Sequence, residues 1–283
     1  MQTKVLVTGT NGQLALTIKA LFAANSEDIV FTFVSKNELD ISNETEVNQY
    51  FNQNHFDFCV NCAAYTNVEQ AELTPEPAFK VNALGAKYIA RACNENGTVL
   101  IHISTDYVFD GTKNTPYTEE DPTNPINEYG KSKLLGEQYI QDICPKHYIL
   151  RTSWLYSNYG KNFLKTIVSK IQNNENLTII NSQTGTPTST IQLARIIFAL
   201  LKATEVPFGI YNASALGQTT WYGFAKAISE HFPSYKGEIL PVESFKTYAT
   251  RPGYSVLNNN KVKPIYSLES WKNCLKEVLT ALN

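Results

Sequence analysis

Residues 8–15 read Thr8-Gly9-Thr10-Asn11-Gly12-Gln13-Leu14-Ala15, a G-x-x-G-x-x-A pattern. They follow a short β-branched run that predicts a strand, and the apolar spacing after them predicts a helix. Such a tight turn needs residues without a Cβ, so that backbone N–H groups and the helix N-terminus can approach a pyrophosphate. The pattern also fits a plain glycine turn, but at a first strand–helix junction it favours dinucleotide binding. The predicted cofactor residues in this turn are Gly9, Asn11, Gly12, Gln13 and Leu14.

The remainder of the first 159 residues alternates short apolar runs with longer helical patterns. The predicted strands cover residues 4–8, 29–34, 56–61, 99–104 and 148–150. The predicted helices cover residues 12–24, 43–54, 77–96 and 128–142. This alternation predicts an α/β fold, a doubly wound parallel sheet of the Rossmann type with helices on both faces. We expect residues 1–159 to form a dinucleotide-binding domain.

The alternation of strand and helix patterns becomes less regular in residues 160–283. Helical patterns cover residues 162–172, 190–203, 221–231 and 268–282, and short strands are predicted at 177–180 and 210–212. We expect this part to be mainly a smaller substrate-binding domain, with some elements returning to the first domain's sheet.

The charge balance is nearly neutral, with 24 Lys+Arg against 26 Asp+Glu and a formal net charge of −2. Nucleic-acid backbones and anionic membranes attract proteins through clustered Lys and Arg, so we expect small-molecule partners and neither nucleic acid nor membrane. No apolar run approaches the roughly 18 residues of a membrane helix, and no secretory signal is visible at the start. These features predict a cytoplasmic protein.

The cysteine and histidine patterns predict no metal site. Five cysteines spread over 283 residues form an odd set, which is typical of reduced thiols. Cys59 and Cys62 read as C-x-x-C, but residues three apart on a strand face opposite sides and no second cysteine pair follows. We therefore expect both to be core thiols.

Tyr129 and Lys133 form a Tyr-x-x-x-Lys pattern at the start of a predicted helix. Residues four apart lie on one helical face, so both side chains can reach one site. A tyrosine with a pKa of about 10 is a poor acid or base near neutral pH unless a cation stabilises its phenolate. The pair predicts acid–base chemistry, although such a spacing also arises by chance.

Hydroxyl-bearing residues end the fourth predicted strand, where Ser104-Thr105-Asp106-Tyr107-Val108-Phe109 follows the apolar run. Ligands bind at the carboxyl edge of parallel sheets, so Thr105 can bond to a substrate carbonyl beside Tyr129. Asp106 and Tyr107 would line the same pocket, or else cap and pack the loop.

The second predicted strand ends in Val34-Ser35-Lys36, where an acidic residue would favour the free ribose 2′-hydroxyl of NAD. Lys36 can instead pair with a 2′-phosphate, which favours NADPH modestly over NADH. Asp40 lies close behind and leaves NADH possible, and Lys36 could equally be a solvated loop charge. Ser35 and Lys36 are the predicted residues at the adenosine ribose.

Several further stretches resemble one family. Residues 60–66 (Val-Asn-Cys-Ala-Ala-Tyr-Thr), 104–111, 151–156 (Arg-Thr-Ser-Trp-Leu-Tyr), 185–188 and 251–255 are similar to the dTDP-4-dehydrorhamnose reductases of the extended short-chain dehydrogenase/reductase superfamily. The resemblance implies reduction of the 4-keto group of dTDP-4-dehydro-β-L-rhamnose to dTDP-L-rhamnose with NADPH. It implies that Tyr129 donates the proton, Thr105 polarises the carbonyl, and Lys133 holds the nicotinamide ribose and lowers the tyrosine pKa.

The same resemblance extends the set of site residues. It implies cofactor contacts from Gly12, Gln13, Leu14, Asp40, Ile41, Ala63, Ala64 and Tyr65, besides Tyr129 and Lys133. It implies sugar contacts from Thr66, Thr105, Asp106, Tyr107, Trp154 and Asn162, with Trp154 as core filler the alternative. Thr17 stands where metal-dependent relatives carry a glutamate for a magnesium-bridged dimer, which disfavours that mode of dimerisation. The protein is expected to be a monomer or homodimer.

Two alternative functions remain open from the sequence. A dehydratase or epimerase acting on a sugar nucleotide shares the fold, but dehydratases carry a second acid after the hydroxyl and Asp, and Tyr107 stands at that position. A non-catalytic, NADP-binding regulatory subunit is the other alternative, which the intact Thr105, Tyr129 and Lys133 disfavour.

Overall fold

The structure, a computed structural model, describes residues 2–24 and 26–282. Residues 1, 25 and 283, which the predicted domain ranges include, lie outside the described residues. Up to residue 152 the strands are β1 (Thr3–Thr8), β2 (Ile29–Val34), β3 (Phe58–Asn61), β4 (Val99–Thr105) and β5 (His147–Thr152). The helices are α1 (Gln13–Phe22), α2 (Glu44–Gln53), α3 (Val68–Leu73), α4 (Glu76–Phe79), α5 (Ala86–Glu95) and α6 (Glu128–Ile143).

From residue 153 to residue 282 the structure describes seven short strands and four helices. The strands are β6 (Leu155–Tyr156), β7 (Leu177–Ile180), β8 (Thr184–Gly185), β9 (Thr188–Ser189), β10 (Gly209–Asn212), β11 (Thr219–Thr220) and β12 (Ile239–Val242). The helices are α7 (Phe163–Gln172), α8 (Thr190–Lys202), α9 (Trp221–Ser229) and α10 (Trp271–Thr280).

A six-stranded parallel sheet forms the centre, in the order β10-β5-β4-β3-β1-β2. The direction of winding reverses between β1 and β3, so a crevice opens at the carboxyl ends of these two strands. Ligands bind at such a switch point in open α/β sheets. The predicted doubly wound parallel sheet is confirmed.

Apolar side chains on both faces of the strands bury the sheet between two helical layers. Val5 and Val7 join one core with residues of α1 and α8, whereas Leu6 joins a second core with residues of α2, α5 and α6. Successive side chains of a strand point to opposite faces, so a continuously apolar strand is what a doubly covered sheet requires. The covered faces leave the carboxyl edge of the sheet as the open side.

A third core joins α7, α9 and α10 with Tyr156, which follows the carboxyl end of β5 in the chain. Short two-stranded ladders, β12 with β7, β11 with β8 and β6 with β9, connect this part internally and to the segment after β5. Two later elements belong to the central layers, since β10 pairs with β5 and α8 packs on the sheet. No helix within the described ranges has the length and hydropathy that a membrane crossing needs.

The predicted elements differ from the structure mainly where the chain is locally irregular. The helix predicted over residues 77–96 is α4, a π-helical turn at Lys80–Gly85 and α5. The π-helical segment ends at a tight tertiary contact, since a Cβ on Gly85 would be 2.9 Å from Ile41 Cδ1. The helix α3 was not predicted, because six residues are too few to show a helical period.

Candidate active site

Two adjoining cavities lie at the carboxyl edge of the sheet. The larger, about 580 Å³, is called the catalytic cavity and contains Tyr129 and Lys133; the smaller, about 280 Å³, is called the outer cavity and contains Ser35 and Lys36. Predicted residues in the outer cavity alone are Gly9, Ser35, Lys36, Asp40, Ile41, Ala63 and Tyr65. Predicted residues shared by both are Asn11, Gly12 and Ala64. Those in the catalytic cavity alone are Gln13, Leu14, Thr66, Thr105, Asp106, Tyr107, Tyr129, Lys133 and Trp154.

The glycine turn joins the two cavities. Gly9 has a φ of 68°, and a Cβ there would lie 2.8 Å from both Cα and N of Ala63. The Gly12 N–H donates to Gly9 O over 2.8 Å and closes the turn. Gly12 caps α1 without a side-chain hydrogen bond, whereas side chains cap α2, α6 and α7. The first N–H groups of α1 are thus left for an anionic ligand, and the site fits a pyrophosphate.

Polar groups after β2 line the outer cavity. Glu38 accepts from the Ser35 N–H and hydroxyl over 2.7 and 2.8 Å, and these bonds lower the pKa of Glu38. Lys36 is exposed, with its Nζ 3.7 Å from Asp40 Oδ2. Partial burial opposes ionisation of Asp40, but bonds from Ser42 and the charge of Lys36 lower its pKa. The outer cavity therefore presents Lys36 and the Asp40 carboxylate where a ribose would lie, and Ser35 in its lining is bonded to Glu38.

Tyr129 lies at the start of α6, with its ring edge-on to Tyr107 at 5.8 Å between centroids. Thr105 lines the same cavity, and its side chain acts to lower the pKa of Tyr129. Burial outweighs this influence and, together with the charge of Asp106, raises the pKa of Tyr129 to about 12. Desolvation is the largest influence on this pKa in the chain by itself, and the lowering by Lys133 that the resemblance implies stays a prediction.

Lys133 is buried, and its ammonium group contacts polar atoms of β4. Its Nζ donates to Ile103 O over 2.6 Å and lies 3.2 Å from His102 Nε2. His102 Nδ1 is 3.1 Å from Asn61 Nδ2, and Asn61 Oδ1 accepts from Thr8 Oγ1 over 2.7 Å. Burial lowers the pKa of Lys133 to about 8 and that of His102 well below its usual value. A buried polar chain thus connects Lys133 to the residue before the glycine turn.

A buried ion pair fixes α6 against the sheet one helical turn after Lys133. Arg151 Nη2 on β5 donates to Glu137 Oε2 over 2.7 Å, and Ser104 on β4 donates to Glu137 Oε1. The charge of Glu137 also partly offsets the lowering of the Lys133 pKa. Sequence reasoning missed Glu137 and His102, because a single helical or strand position gives no signal of a partner on another element.

Two tryptophans form one wall of the catalytic cavity. Trp154 has a left-handed backbone with a φ of 46°, and its ring stacks on Trp221 at 3.6 Å between centroids. Gly185 packs against the Trp154 ring, since a Cβ there would be 2.5 Å from Trp154 Cε2. A strained backbone at a bulky residue persists only where its surroundings hold it, so this wall is built around Trp154. Sequence reasoning missed Trp221, which shares no local pattern with Trp154.

Three predicted positions have a different environment in the structure. Asn162 is not among the residues that line the two cavities, because its Oδ1 caps α7 and its Nδ2 donates to Ser157 O over 2.8 Å. Cys62 was expected in the core but is partly exposed in both cavities, because it follows the end of β3. Thr17 is buried and shares a 2.7 Å hydrogen bond with Thr190 on α8, so it faces the chain's own interior.

The comparison with known families decides the assignment. The family model for the RmlD substrate binding domain matches residues 3–283. The chain belongs to the RmlD family. It is 38% identical to the spore coat polysaccharide biosynthesis protein SpsK of Bacillus subtilis, over 98% of this chain and 97% of SpsK. It is 37% identical to the dTDP-4-dehydrorhamnose reductase of Salmonella typhimurium, again over 98% and 97% of the two chains.

A solved structure of a similar protein also matches the fold. The crystal structure of dTDP-4-dehydrorhamnose reductase from Bacillus anthracis in complex with NADP has a TM-score of 0.94 and 35% identity, over 99% of this chain and 100% of that chain. The resemblance found in the sequence motifs is thereby confirmed at the level of the family.

Proposed function

We propose that this chain is an NADPH-dependent dTDP-4-dehydrorhamnose reductase, which converts dTDP-4-dehydro-β-L-rhamnose to dTDP-L-rhamnose. The observation that carries the proposal is the convergence of Thr105, Tyr129 and Lys133 on one cavity that adjoins a second, nucleotide-sized cavity at the glycine turn. Membership of the RmlD family and relatives with this name support the substrate class.

The catalytic cavity supplies a proton donor and a carbonyl-binding hydroxyl. A pKa of about 12 keeps Tyr129 protonated at neutral pH, as an acid for carbonyl reduction must be. The Thr105 hydroxyl lines the same cavity as Tyr129 and would donate to the same carbonyl oxygen. A bound NADPH supplies the hydride that the carbonyl carbon accepts. Tyr129 then protonates the oxygen as negative charge develops on it.

The glycine turn and the outer cavity would hold the cofactor. The uncapped start of α1 and residues Gly9 to Leu14 suit its pyrophosphate, and Ala63, Ala64 and Tyr65 line the way toward the nicotinamide end. We assign Lys36 to a ribose 2′-phosphate, in agreement with the NADP bound by the Bacillus anthracis relative. Lys133 would bind the nicotinamide ribose.

The sugar nucleotide would occupy the remainder of the catalytic cavity. Trp154 offers an aromatic face, and Thr66, Asp106 and Tyr107 offer polar groups beside Tyr129. Asn162 is left out of this set because it caps α7 instead. Sugar rings commonly pack on aromatic faces while polar groups fix their hydroxyls, which is the division that this cavity provides.

The proposal also covers the division of the chain into domains, the cellular location and the oligomeric state. We divide the chain into a dinucleotide-binding part, residues 1–159, and a mainly substrate-binding part, residues 160–283, with β10 and α8 on the central sheet. Cysteines 59, 93, 144 and 274 are buried free thiols, which suits a cytoplasmic enzyme. A monomer or homodimer without nucleic-acid partners is proposed, and Thr17 is engaged within its own chain.

The test is NADPH oxidation in the presence of dTDP-4-dehydro-β-L-rhamnose. Wild type should oxidise one NADPH per dTDP-L-rhamnose formed, and Tyr129→Phe should lower kcat by about 10²–10⁴-fold because it removes the proton donor. The Kd for NADPH should stay unchanged in this variant. A dehydratase or epimerase would convert its substrate without net NADPH consumption, and a regulatory subunit would bind NADPH without turnover. Either result would overturn the proposal.

A further inference from the structure

The face of α6 that packs on the sheet carries few fully buried apolar side chains. Ile140 is the one large apolar residue in its buried set, which is Gly130, Ser132, Lys133, Gly136, Glu137 and Ile140. The two glycines bring the helix close to other backbone, since a Cβ on Gly130 would be 2.2 Å from Tyr107 O. A Cβ on Gly136 would be 2.3 Å from Asn82 O. Apolar contact has no direction, so hydrophobic packing alone does not fix the position of α6 along its axis.

Directional bonds to Glu137 tie this helix to two strands at once. Ser104 on β4 and Arg151 on β5 are register partners, so their side chains share one face of the sheet. Ser104 donates to Glu137 Oε1, and Arg151 Nε and Nη2 donate to Oε1 and Oε2 over 3.0 and 2.7 Å. All three residues are buried. The Glu137 carboxylate is therefore held between β4 and β5 by charge-assisted bonds of restricted length and angle.

Glu137 stands on the same side of α6 as the catalytic pair. It lies four residues after Lys133 and eight after Tyr129, so the three side chains follow one another along the helix. Ser104 directly precedes Thr105 at the end of β4. The bonds at Glu137 thus connect the helix that carries the proton donor to the strand that carries the carbonyl-binding hydroxyl.

We propose that Glu137 is a positioning residue of the reduction, which sets the placement of Tyr129 and Lys133 relative to Thr105. The inference rests on the proposed reductase function for its reaction. Replacing a buried ion pair with apolar side chains of similar volume often leaves stability unchanged or raises it. Stability alone therefore gives no reason for a charged pair at this place, whereas directional bonds suit a helix that must keep its position on the sheet.

The kinetic test compares wild type with the double variant Glu137→Met, Arg151→Met. Methionine fills the space without leaving a buried charge, so the variant should fold with a melting temperature close to that of wild type. It loses the directional bonds of α6, and kcat should fall by about tenfold or more because small misplacements of reacting groups reduce turnover. The KM for the sugar nucleotide should change by less than about twofold, since the proposed sugar contacts lie outside α6. A folded double variant with the kcat of wild type would overturn the proposal.

Further variants separate positioning from stability. Arg151→Lys keeps a charged donor but loses the bidentate geometry, so its kcat should lie between those of wild type and the double variant. Ser104→Ala removes one bond and leaves the ion pair, so it should fold even if the double variant does not, with kcat lowered by about two- to fivefold. An unchanged kcat in Ser104→Ala would count against the proposal.

A second bidentate pair provides the matched control. Arg195 on α8 and Glu277 on α10 form such a pair, and neither residue lines the catalytic or the outer cavity. The double variant Arg195→Met, Glu277→Met should leave kcat unchanged. If kcat follows the melting temperature across all of these variants, the role of Glu137 is structural and the proposal fails.

Crystal structures of wild type and of the Glu137→Met, Arg151→Met variant test the positioning without any substrate. In the variant α6 should be displaced relative to β4, so the distance from the Tyr129 hydroxyl oxygen to Thr105 Oγ1 should differ from that in wild type. Superimposable structures would overturn the proposal even if the sugar substrate has been assigned wrongly. A displaced helix, together with a wild type that does not oxidise NADPH, would refute the proposed function and support the role of Glu137.

Discussion

The outer cavity depends on backbone contacts, whereas the tryptophan wall of the catalytic cavity depends on stacked side chains. The outer cavity is lined mainly by short stretches that follow the first strands, and within it the backbone of Gly9 packs against the backbone of Ala63. The wall is a stack of large side chains, Trp154 on Trp221, from segments far apart in the chain. A Cβ added in the outer cavity should therefore displace the backbone, whereas a Cβ added at the tryptophan wall should displace an indole ring.

Gly9→Ala should produce the largest effect of this comparison. The new Cβ would sit 2.8 Å from Ala63 backbone atoms at a φ of 68°, so the turn must move to accept it. Restoring the binding geometry would cost about 1–3 kcal/mol, so the Kd for NADPH should rise by up to about 100-fold. Fluorescence titration with NADPH measures this Kd.

Gly97→Ala is the matched control for that substitution. Gly97 has a φ of 70°, but a Cβ there would meet nothing within 4 Å. The control should lower the free energy of unfolding by about 1 kcal/mol and leave the Kd for NADPH unchanged. Equal Kd values for Gly9→Ala and wild type would show that the outer cavity does not depend on this backbone contact.

Gly185→Ala should disturb the tryptophan wall next most strongly. The added Cβ would lie 2.5 Å from Trp154 Cε2, so the indole ring must shift. We expect kcat/KM for the sugar nucleotide to fall by about tenfold or more, because small displacements of positioning groups reduce turnover. The Kd for NADPH should not change.

Gly217→Ala provides a clash with a different tryptophan for comparison. Its Cβ would lie 3.2 Å from Trp271 Cδ1, and Trp271 belongs to the third core. It should lower thermal stability without raising the KM for the sugar. A raised KM in this control would mean that the effect of Gly185→Ala is not specific to the wall.

Trp221→Leu should have a moderate effect on the same wall. Loss of the stacked ring removes about 0.5–1.5 kcal/mol of support for Trp154, so the KM for the sugar should rise by about two- to tenfold. Trp221→Phe keeps a ring but loses the 3.1 Å hydrogen bond from Trp221 Nε1 to Gln183 Oε1. Its KM for the sugar should therefore lie between the values of wild type and Trp221→Leu. An unchanged KM in Trp221→Leu would show that Trp154 holds its position without this partner.

Lys36→Ala should have the smallest effect, confined to the choice of cofactor. Lys36 is exposed, so its charge contributes about 0.2–1 kcal/mol, and the ratio of kcat/KM for NADPH to that for NADH should fall by up to about fivefold. Lys36→Arg keeps the charge and should keep the ratio. The assignment of Lys36 to the 2′-phosphate fails if the ratio is unchanged in Lys36→Ala.

Much of the fold and of the catalytic group could be predicted because their signals are local. The turn at Gly9 to Gly12 and the alternating strands and helices depend on residues that are neighbours in sequence. Tyr129 and Lys133 lie four apart on one helix, so their common site followed from helical geometry. The π-helical turn and α3 were missed, since packing rather than periodicity shapes such short segments.

The sequence by itself determined the parallel sheet, the glycine turn and the acid–base pair, because each depends on spacing within a few residues. Only the tertiary structure decided what surrounds them: His102 and Ile103 at Lys133, Asp106 next to Thr105, and Trp221 on Trp154. Tertiary contacts also set the protonation states, since burial raises the pKa of Tyr129 and lowers that of Lys133. Desolvation depends on everything packed around a group, and no short stretch of sequence contains that information.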